Sequence, residues 1–400
     1  MVFNMEDETY IYHLQTRIER TIYTIHNYLS KFALKKSISL YAGDLSIILF
    51  FTHSYLCTRN KLYLQKVYDY LDSFSLPYNI PFSFCSGLAG YAWFINFLQQ
   101  NNLVELDDDF FDEIDEILFK KMEQLFRDKK YDLLHEGLSI ARYFIARKKK
   151  EECSFIIDCL SNSKHLHYNE IKWVSYNSIK NTYRYDFGLS HGNAGFLYIL
   201  GKCYTLNIQK SLCQSLIDGI FMFYLNNEQD FYKYHSYFPS SVDIKNYSPG
   251  NNKEWCRLAW CYGDAGILYS IYTCAELVNN SQMKEFSLKR LEMIANKHSL
   301  LDTGVQDASF CHGSSGLCHI FYKLYLKTDK LIFYEAALYW LETTLVLLNF
   351  HGNLNYLLEP QVNRWGKNPY LLEGCSGTGI VLEELLHQKC FSWDECFMLS

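Results

Sequence analysis

Two glycine turns carry the residues best suited to chemistry. One reads Trp260-Cys261-Tyr262-Gly263-Asp264-Ala265-Gly266, the other Cys311-His312-Gly313-Ser314-Ser315-Gly316. Two thiolates and one imidazole, Cys261, Cys311 and His312, make a good donor set for Zn2+. Three protein ligands leave a fourth tetrahedral position open, as in catalytic rather than structural zinc sites. Adjacent residues do not face each other on a helix surface, so Cys311 and His312 reach one ion only from a turn, which the glycines supply. Cys261 lies about one repeat upstream. The expectation is one zinc per chain, held where two equivalent turns meet.

Three further residues join this set. His191 precedes Gly192 in Leu189-Ser190-His191-Gly192-Asn193-Ala194-Gly195, the place that His312 holds in its own turn. A lone histidine is most simply a satisfied core residue, but equivalence with the metal turn favours a general acid or base. Arg257 stands four residues before Cys261. On a continuous helix it would share that face and could stabilise a developing anion; the plain alternative is a surface ion pair. Asp132, in Tyr131-Asp132-Leu133-Leu134-His135, could orient His191 or relay a proton. On local sequence an N-cap or an ion pair is the stronger assignment.

The elements that position these residues repeat. First glycines of similar turns stand at 43, 87, 137, 192, 263, 313 and 374. A single Gly-x-x-Gly says little, but seven at a nearly regular period indicate a repeat architecture. Between the turns the periodicity is helical. Ile18, Ile22, Ile25, Leu29 and Phe32 share one face, and Phe110, Ile114, Ile117, Met122 and Leu125 another. After each turn the run is apolar all round, as in Ile47-Ile48-Leu49-Phe50-Phe51, which marks a buried helix. Seven hairpins of an amphipathic and a buried helix, closed in a ring, give an all-α (α/α)7 toroid. The expected organisation is a single domain over 1–400.

Two inserted loops interrupt the period, at about 146–186 and 225–254. The first opens with the charge run Lys148-Lys149-Lys150-Glu151-Glu152, most simply solvated, and closes with a strand-like stretch over Trp173-Val174-Ser175-Tyr176-Asn177-Ser178-Ile179. The second is turn-rich from Tyr232 to Asn252. Such loops are either functional or neutral surface additions. Cys85 and Cys375 stand near turns without an adjacent histidine and read as packing thiols. Cys318 and His319 fall inside an apolar run, where core packing is the simpler assignment.

Composition narrows the function classes. A net charge of −6 over 400 residues offers no basic field for nucleic acid. The N-terminus is acidic and lacks a basic-then-apolar signal pattern. The 14 cysteines are scattered through apolar stretches and read as reduced thiols of a cytoplasmic protein. Apolar runs such as Leu45 to Phe51 are too short to span a bilayer.

Taken together, Trp-Cys-Tyr-Gly at 260–263, Cys-His-Gly at 311–313, Leu-Ser-His-Gly at 189–192 and Leu-Leu-Glu-Gly-x-x-Gly at 371–377 resemble the lanthionine synthetase C family, the LanC cyclases of lantibiotic biosynthesis. The resemblance covers essentially the whole chain. It implies an (α/α)7 toroid with zinc on Cys261, Cys311 and His312. It also implies His191 and Asp132 as catalytic residues, with Arg257, Trp260 and Tyr262 in the active site. The implied reaction closes (methyl)lanthionine thioether rings, adding a peptide Cys thiolate to dehydroalanine or dehydrobutyrine. The implied partners are a dehydrated precursor peptide, a dehydratase and a transporter, the last two leaving room for peripheral membrane attachment. Two alternatives use the same features: addition of glutathione or another small thiol to dehydroamino acids, and a non-catalytic peptide or complex scaffold. The first turn departs from the pattern, with Ser46 in place of the second glycine, and so does the third, which reads Gly137-Leu138-Ser139-Ile140.

Overall fold

A computed structural model describes residues 8–73, 79–177, 181–350 and 353–400. Every glycine turn launches a helix whose faces are almost entirely buried. These helices are Asp44–Thr58, Leu88–Gln100, Gly137–Ala146, Asn193–Thr205, Asp264–Val278, Ser314–Thr328 and Cys375–His387. Each follows a more exposed helix: Glu8–Ser30, Lys61–Ser73, Asp112–Arg127, Lys150–Ser163, Lys210–Asn227, Ser281–Ala295 and Leu331–Phe350. The contrast in burial matches the contrast in sequence. Lys61–Ser73 buries only Val67 and Tyr70, whereas Asp44–Thr58 buries nearly every side chain.

The second glycine of a turn has a steric reason. A Cβ on Gly266, Gly316 or Gly377 would lie 2.0, 2.0 or 2.1 Å from the carbonyl oxygen six residues earlier. The approach segment therefore packs directly on the first helical turn. Where this glycine is missing, a hydroxyl replaces it. Ser46 donates to the Gly43 carbonyl at 2.5 Å, and Ser139 donates to the Glu136 carbonyl at 2.6 Å.

The third turn corrects the sequence register. Its N-cap is Glu136, and Gly137 is already helical, whereas Gly43, Gly87, Gly192, Gly263, Gly313 and Gly374 are N-caps in the other six. His135, not Glu136, is thus the equivalent of His191 and His312.

The chain forms two compact units, Met1–Ile80 with Val305–Asp394 and Pro81–Gly304 with Glu395–Ser400. In the first, backbone bonds stitch the turns at equivalent positions. Cys311 N–H donates to Leu372 at 2.9 Å, and Leu372 N–H donates to Tyr41 at 3.1 Å. A buried carboxylate joins three of its helices. Glu383 accepts from Ser54 at 2.6 Å and pairs with His53 and His26 at 2.9 and 3.0 Å. Leu331–Phe350 is 20 residues long and apolar enough to cross a membrane by length and composition. This corrects the expectation that the longest apolar runs are too short to span a bilayer, because the helix continues its apolar character across Glu335 and Glu342. Its Phe333, Ala337, Trp340, Leu341 and Leu348 are nevertheless buried in the core. Likewise His319 is more than packing, since its ring bonds Asp394 at 2.9 Å with Lys323 on the same carboxylate.

In the second unit Cys85 N–H donates to Leu134 at 3.4 Å, and Ser190 N–H donates to Cys261 at 3.3 Å, again at equivalent positions. The inserts build local structure here. Ser175–Asn177, Thr182–Asp186 and Ser241–Asp243 form an antiparallel sheet in which Tyr176 faces Tyr183 and Tyr185 faces Val242. The expected strand is therefore present at Ser175–Asn177; Ser178 and Ile179 lie outside the described residues. The charge run is only partly solvated, because Lys149 reaches the buried Asp115 at 2.6 Å. The expected face of Asp112–Arg127 also shifts. Phe110 and Ile117 are exposed, while Leu118, Met122 and Phe126 are buried with Phe111, because the helix starts two residues after Phe110. Ile18, Ile22, Ile25 and Leu29 are buried as expected.

Burial lowers the pKa of His53, but hydrogen bonds to Cys57 and Glu383 outweigh it and push it up to about 10. A raised histidine pKa stabilises the fold fully below the ordinary histidine value and loses that contribution as pH rises through about 10. Glu383→Gln should cost on the order of 3 kcal/mol in urea unfolding at pH 7. It should also flatten the decline in stability that the wild type shows toward pH 10.

Candidate active site and metal-ligand turns

The second unit holds a cleft of ≈ 1810 Å³. Asp132, His191, Arg257 and Tyr262 line it together with His135, Arg184 and Asp186. Four of the residues singled out in the sequence are thus brought to one wall.

Asp132 and His191 form its centre. His191 Nδ1 lies 2.5 Å from Asp132 Oδ2, while Asp132 Oδ1 accepts the backbone N–H groups of Leu134 and His135 at 2.9 and 2.8 Å. The carboxylate is fixed on one oxygen by the turn and offers the other to His191. Burial raises the Asp132 pKa, but the bonds to His191 and the two amides more than reverse this, so it ends below the usual carboxylate value. Burial depresses the His191 pKa, but the bond and charge of Asp132 hold it above the usual histidine value. The pair is built to keep an imidazolium available, with Nε2 as the nitrogen for exchange.

Around this pair the fourth and fifth turns are tightly packed. A Cβ on Gly188 would lie 2.4 Å from the Cys261 carbonyl. Gly263 takes a φ of +117°, and a Cβ there would lie 1.8 Å from the Arg257 carbonyl. Only glycine fits that position without strain. The Tyr262 ring stacks on His191 at 5.8 Å, and its hydroxyl accepts from Arg184 at 3.2 Å. Burial raises the Tyr262 pKa well above the phenol value, keeping the hydroxyl protonated. Arg257 reaches the cleft from an irregular segment, not from the helix face that its spacing suggested. The backbone of Leu258 beside it is held by Thr303 at 2.7 Å. Trp260 lies behind the turn, buried, and donates its indole N–H to the Phe397 carbonyl at 2.8 Å. It anchors the C-terminal segment against the cysteine turn.

Cys261 belongs to this unit, two residues before its N-cap, and is 7% exposed. Cys311 and His312 occupy the equivalent turn of the other unit, two and one residues before the N-cap Gly313. Cys311 is likewise 7% exposed, and His312 is half-buried. Two thiols and an imidazole at matched backbone positions have the donor chemistry for zinc. In the first unit the ligand atoms of His53, Cys57 and Glu383 also lie within 4.8 Å of one another and could hold a metal. There, however, both Glu383 oxygens already accept hydrogen bonds.

The profile of the lanthionine synthetase C-like protein family matches residues 35–398. The chain belongs to that family. Nisin cyclase is a solved structure to which it is similar, with a TM-score of 0.72 and 19% sequence identity, over 97% of this chain and 98% of that one. At that identity the likeness concerns the fold, and the fold class is the all-α toroid of LanC proteins. No curated protein sequence matches the chain.

Sequence reasoning missed Arg184, Asp186 and His135. Asp186 is fully buried, pairs with Arg184 at 2.9 Å, and is pushed up to about 6 by burial, against the opposing charge of Arg184. The alternation Tyr183-Arg184-Tyr185-Asp186 signalled a strand, but nothing local pointed it at His191. His135 was hidden by the one-residue register shift.

Removing the Asp132 charge leaves burial as the dominant influence on His191. Asp132→Asn should therefore drop the His191 pKa from above to below the ordinary histidine value, read by NMR titration of the ring protons. An unchanged titration would mean that the short contact does not set the charge of the ring.

Proposed function

We propose that the protein is a zinc-dependent lanthipeptide cyclase, forming (methyl)lanthionine rings by adding peptide Cys thiolates to dehydroalanine or dehydrobutyrine. The observation that carries this reading is the Asp132–His191 pair on a cleft wall beside the Cys261 turn, in a chain of the lanthionine synthetase C-like family. The cyclase activity of nisin cyclase, the similar solved structure, supports it. Cys261, Cys311 and His312 are the residues that would hold the ion. Bound zinc supplies Lewis acidity that lowers the pKa of a coordinated thiol.

The chain's own side chains perform the remaining work. The thiolate forms the S–Cβ bond, the Cα=Cβ π pair moves toward the carbonyl oxygen, and the guanidinium of Arg257 stabilises that charge. His191 then gives its proton to Cα. Asp132 holds Nδ1, so the acid is oriented and charged before reaction. Tyr262, stacked on the ring and fixed by Arg184, restricts the imidazole to one plane and favours protonation of one enolate face. Trp260 acts as a positioning residue through the C-terminal segment.

The cleft volume bears on substrate class. Small-molecule pockets span about 300–1,000 Å³, and this one is ≈ 1810 Å³. Exposed Tyr176, Tyr183 and Trp255 flank it. That space suits a peptide better than glutathione. A dehydratase must supply the dehydrated precursor peptide, and it and a transporter are the partners this reading implies, in the cytoplasm.

The test uses a dehydrated, Cys-containing peptide, with free thiols counted by alkylation and mass spectrometry over time. Wild type should close rings, and His191→Ala should slow closure by about a hundredfold or more with metal content and circular dichroism unchanged. Closure at the wild-type rate would remove His191 from the mechanism. Glutathione transfer without ring closure would replace the reading with small-thiol addition, and neither activity would leave a scaffold.

A further inference from the structure

We propose that Cys85 and His135 form a second reactive-thiol site, in which Cys85 is a nucleophilic thiolate that captures α,β-unsaturated amides as thioether adducts. Cys85 Sγ lies 3.1 Å from His135 Nδ1. The two residues come from successive turns. Cys85 stands two residues before its N-cap, as Cys261 and Cys311 do, and His135 one residue before its own, as His312 and His191 do. The pair repeats the thiol-plus-imidazole placement of the metal turns, entirely within the second unit.

The surroundings favour charge separation. The hydroxyls of Ser83 and Ser86 lie 3.6 and 3.8 Å from Cys85 Sγ. The sulfur sits just ahead of the N-terminus of the helix Leu88–Gln100, where anions are stabilised. Asp132 fixes the backbone N–H of His135 with one oxygen and His191 with the other, and the two imidazoles stack at 6.0 Å. Asp132 and Glu136 face His135 with negative charge. Burial would raise the Cys85 pKa, but the bond to His135 reverses it, and the thiol ends below its ordinary value. The hydrogen bond to Cys85 in turn raises His135. Cys213, Cys256, Cys274, Cys318 and Cys375 all move up instead. Cys159, which lines the cleft with His135, is pushed by burial to about 11, and the exposed Cys390 to about 12.

The electrophile class rests on the cyclase reading, which brings dehydroamino acids into the cleft that His135 lines; Cys85 is buried and reaches that cleft's lining through its contact with His135. The step balances within the pair. Cys85 Sγ forms the bond to Cβ, the Cα=Cβ π bond breaks, its electrons move to the carbonyl oxygen, and the His135 imidazolium returns a proton to Cα. Thiolate and imidazolium become thioether and neutral imidazole, and the reverse elimination releases the unsaturated amide.

The experiment exposes the zinc-loaded full chain to iodoacetamide at pH 6.5 and maps the modified residue by peptide mass spectrometry. Cys85 should be carbamidomethylated before Cys390 and Cys159. His135→Asn should slow labelling of Cys85 at least tenfold at pH 6.5, with the two rates converging near pH 10. N-Acetyldehydroalanine methylamide should add its own mass to Cys85 in the wild type, and nothing should add at that position in Cys85→Ser. Earlier labelling of Cys390 or Cys159, or Cys85 labelling indifferent to His135, overturns the site. Alkylation of Cys85 without adduct formation overturns the substrate class. Ring closure by a protein whose Cys85 is inert sinks this inference alone. A reactive Cys85 in a protein that closes no rings sinks the cyclase reading and leaves the site standing.

Discussion

Five of the buried helices, those after Gly87, Gly192, Gly263, Gly313 and Gly374, start where the approach segment folds back onto the first turn, so closely that a Cβ on the N-cap would not fit. That backbone contact governs the rest. It holds the two residues before the N-cap at a fixed height and direction, and it frees their side chains from helix packing. Backbone hydrogen bonds between neighbouring turns then join equivalent positions, Cys85 to Leu134, Ser190 to Cys261, Cys311 to Leu372 and Leu372 to Tyr41. Chemistry written at these positions is presented in register. Cysteine and histidine there are the proposed ligands and nucleophile, while leucine and tyrosine there make only backbone contacts between turns.

Charge follows the same scaffold. Asp132 sits four residues before its N-cap, where it closes its own turn and still reaches His191 on the next. Away from the cleft, buried carboxylates act as staples. Glu383 holds His26 and His53, and Asp394 holds His319 and Lys323. The Glu383 and Asp394 carboxyls are fully enclosed by core side chains, so their lowered pKa values reflect structure. The Asp132–His191 pair differs by opening onto a cleft, and that difference supports the functional role proposed for it.

Much of this was legible in the sequence. The glycine turns recur too regularly to be chance, and residues one and two places ahead of them named the proposed metal ligands and the His191 that lines the cleft. Asp132 was legible as a carboxylate that could orient His191, and the structure shows that contact. Four matters were not legible, for physical reasons. Gly137 marks its turn as first helical residue rather than as N-cap, and this one-residue shift hid His135. Arg257 precedes Cys261 by one helical turn, yet the segment is irregular because Gly263 needs a positive φ. Arg184 and Asp186 lie on a short strand whose position depends on pairing with Ser241–Asp243, a long-range contact that no local pattern encodes. Cys85 lacked a histidine beside it in sequence because its histidine belongs to the following turn.

Cys261, Cys311 and His312 are proposed as the ligands of a three-ligand zinc centre with a position left for a peptide thiol. Zinc-edge X-ray absorption on purified protein tests it most directly. The account predicts two sulfur scatterers at about 2.3 Å and one imidazole nitrogen near about 2.0 Å, with a third sulfur appearing when a Cys-containing dehydrated peptide is added. Zinc surrounded only by nitrogen and oxygen, or a sulfur shell unchanged in Cys311→Ala, would contradict it.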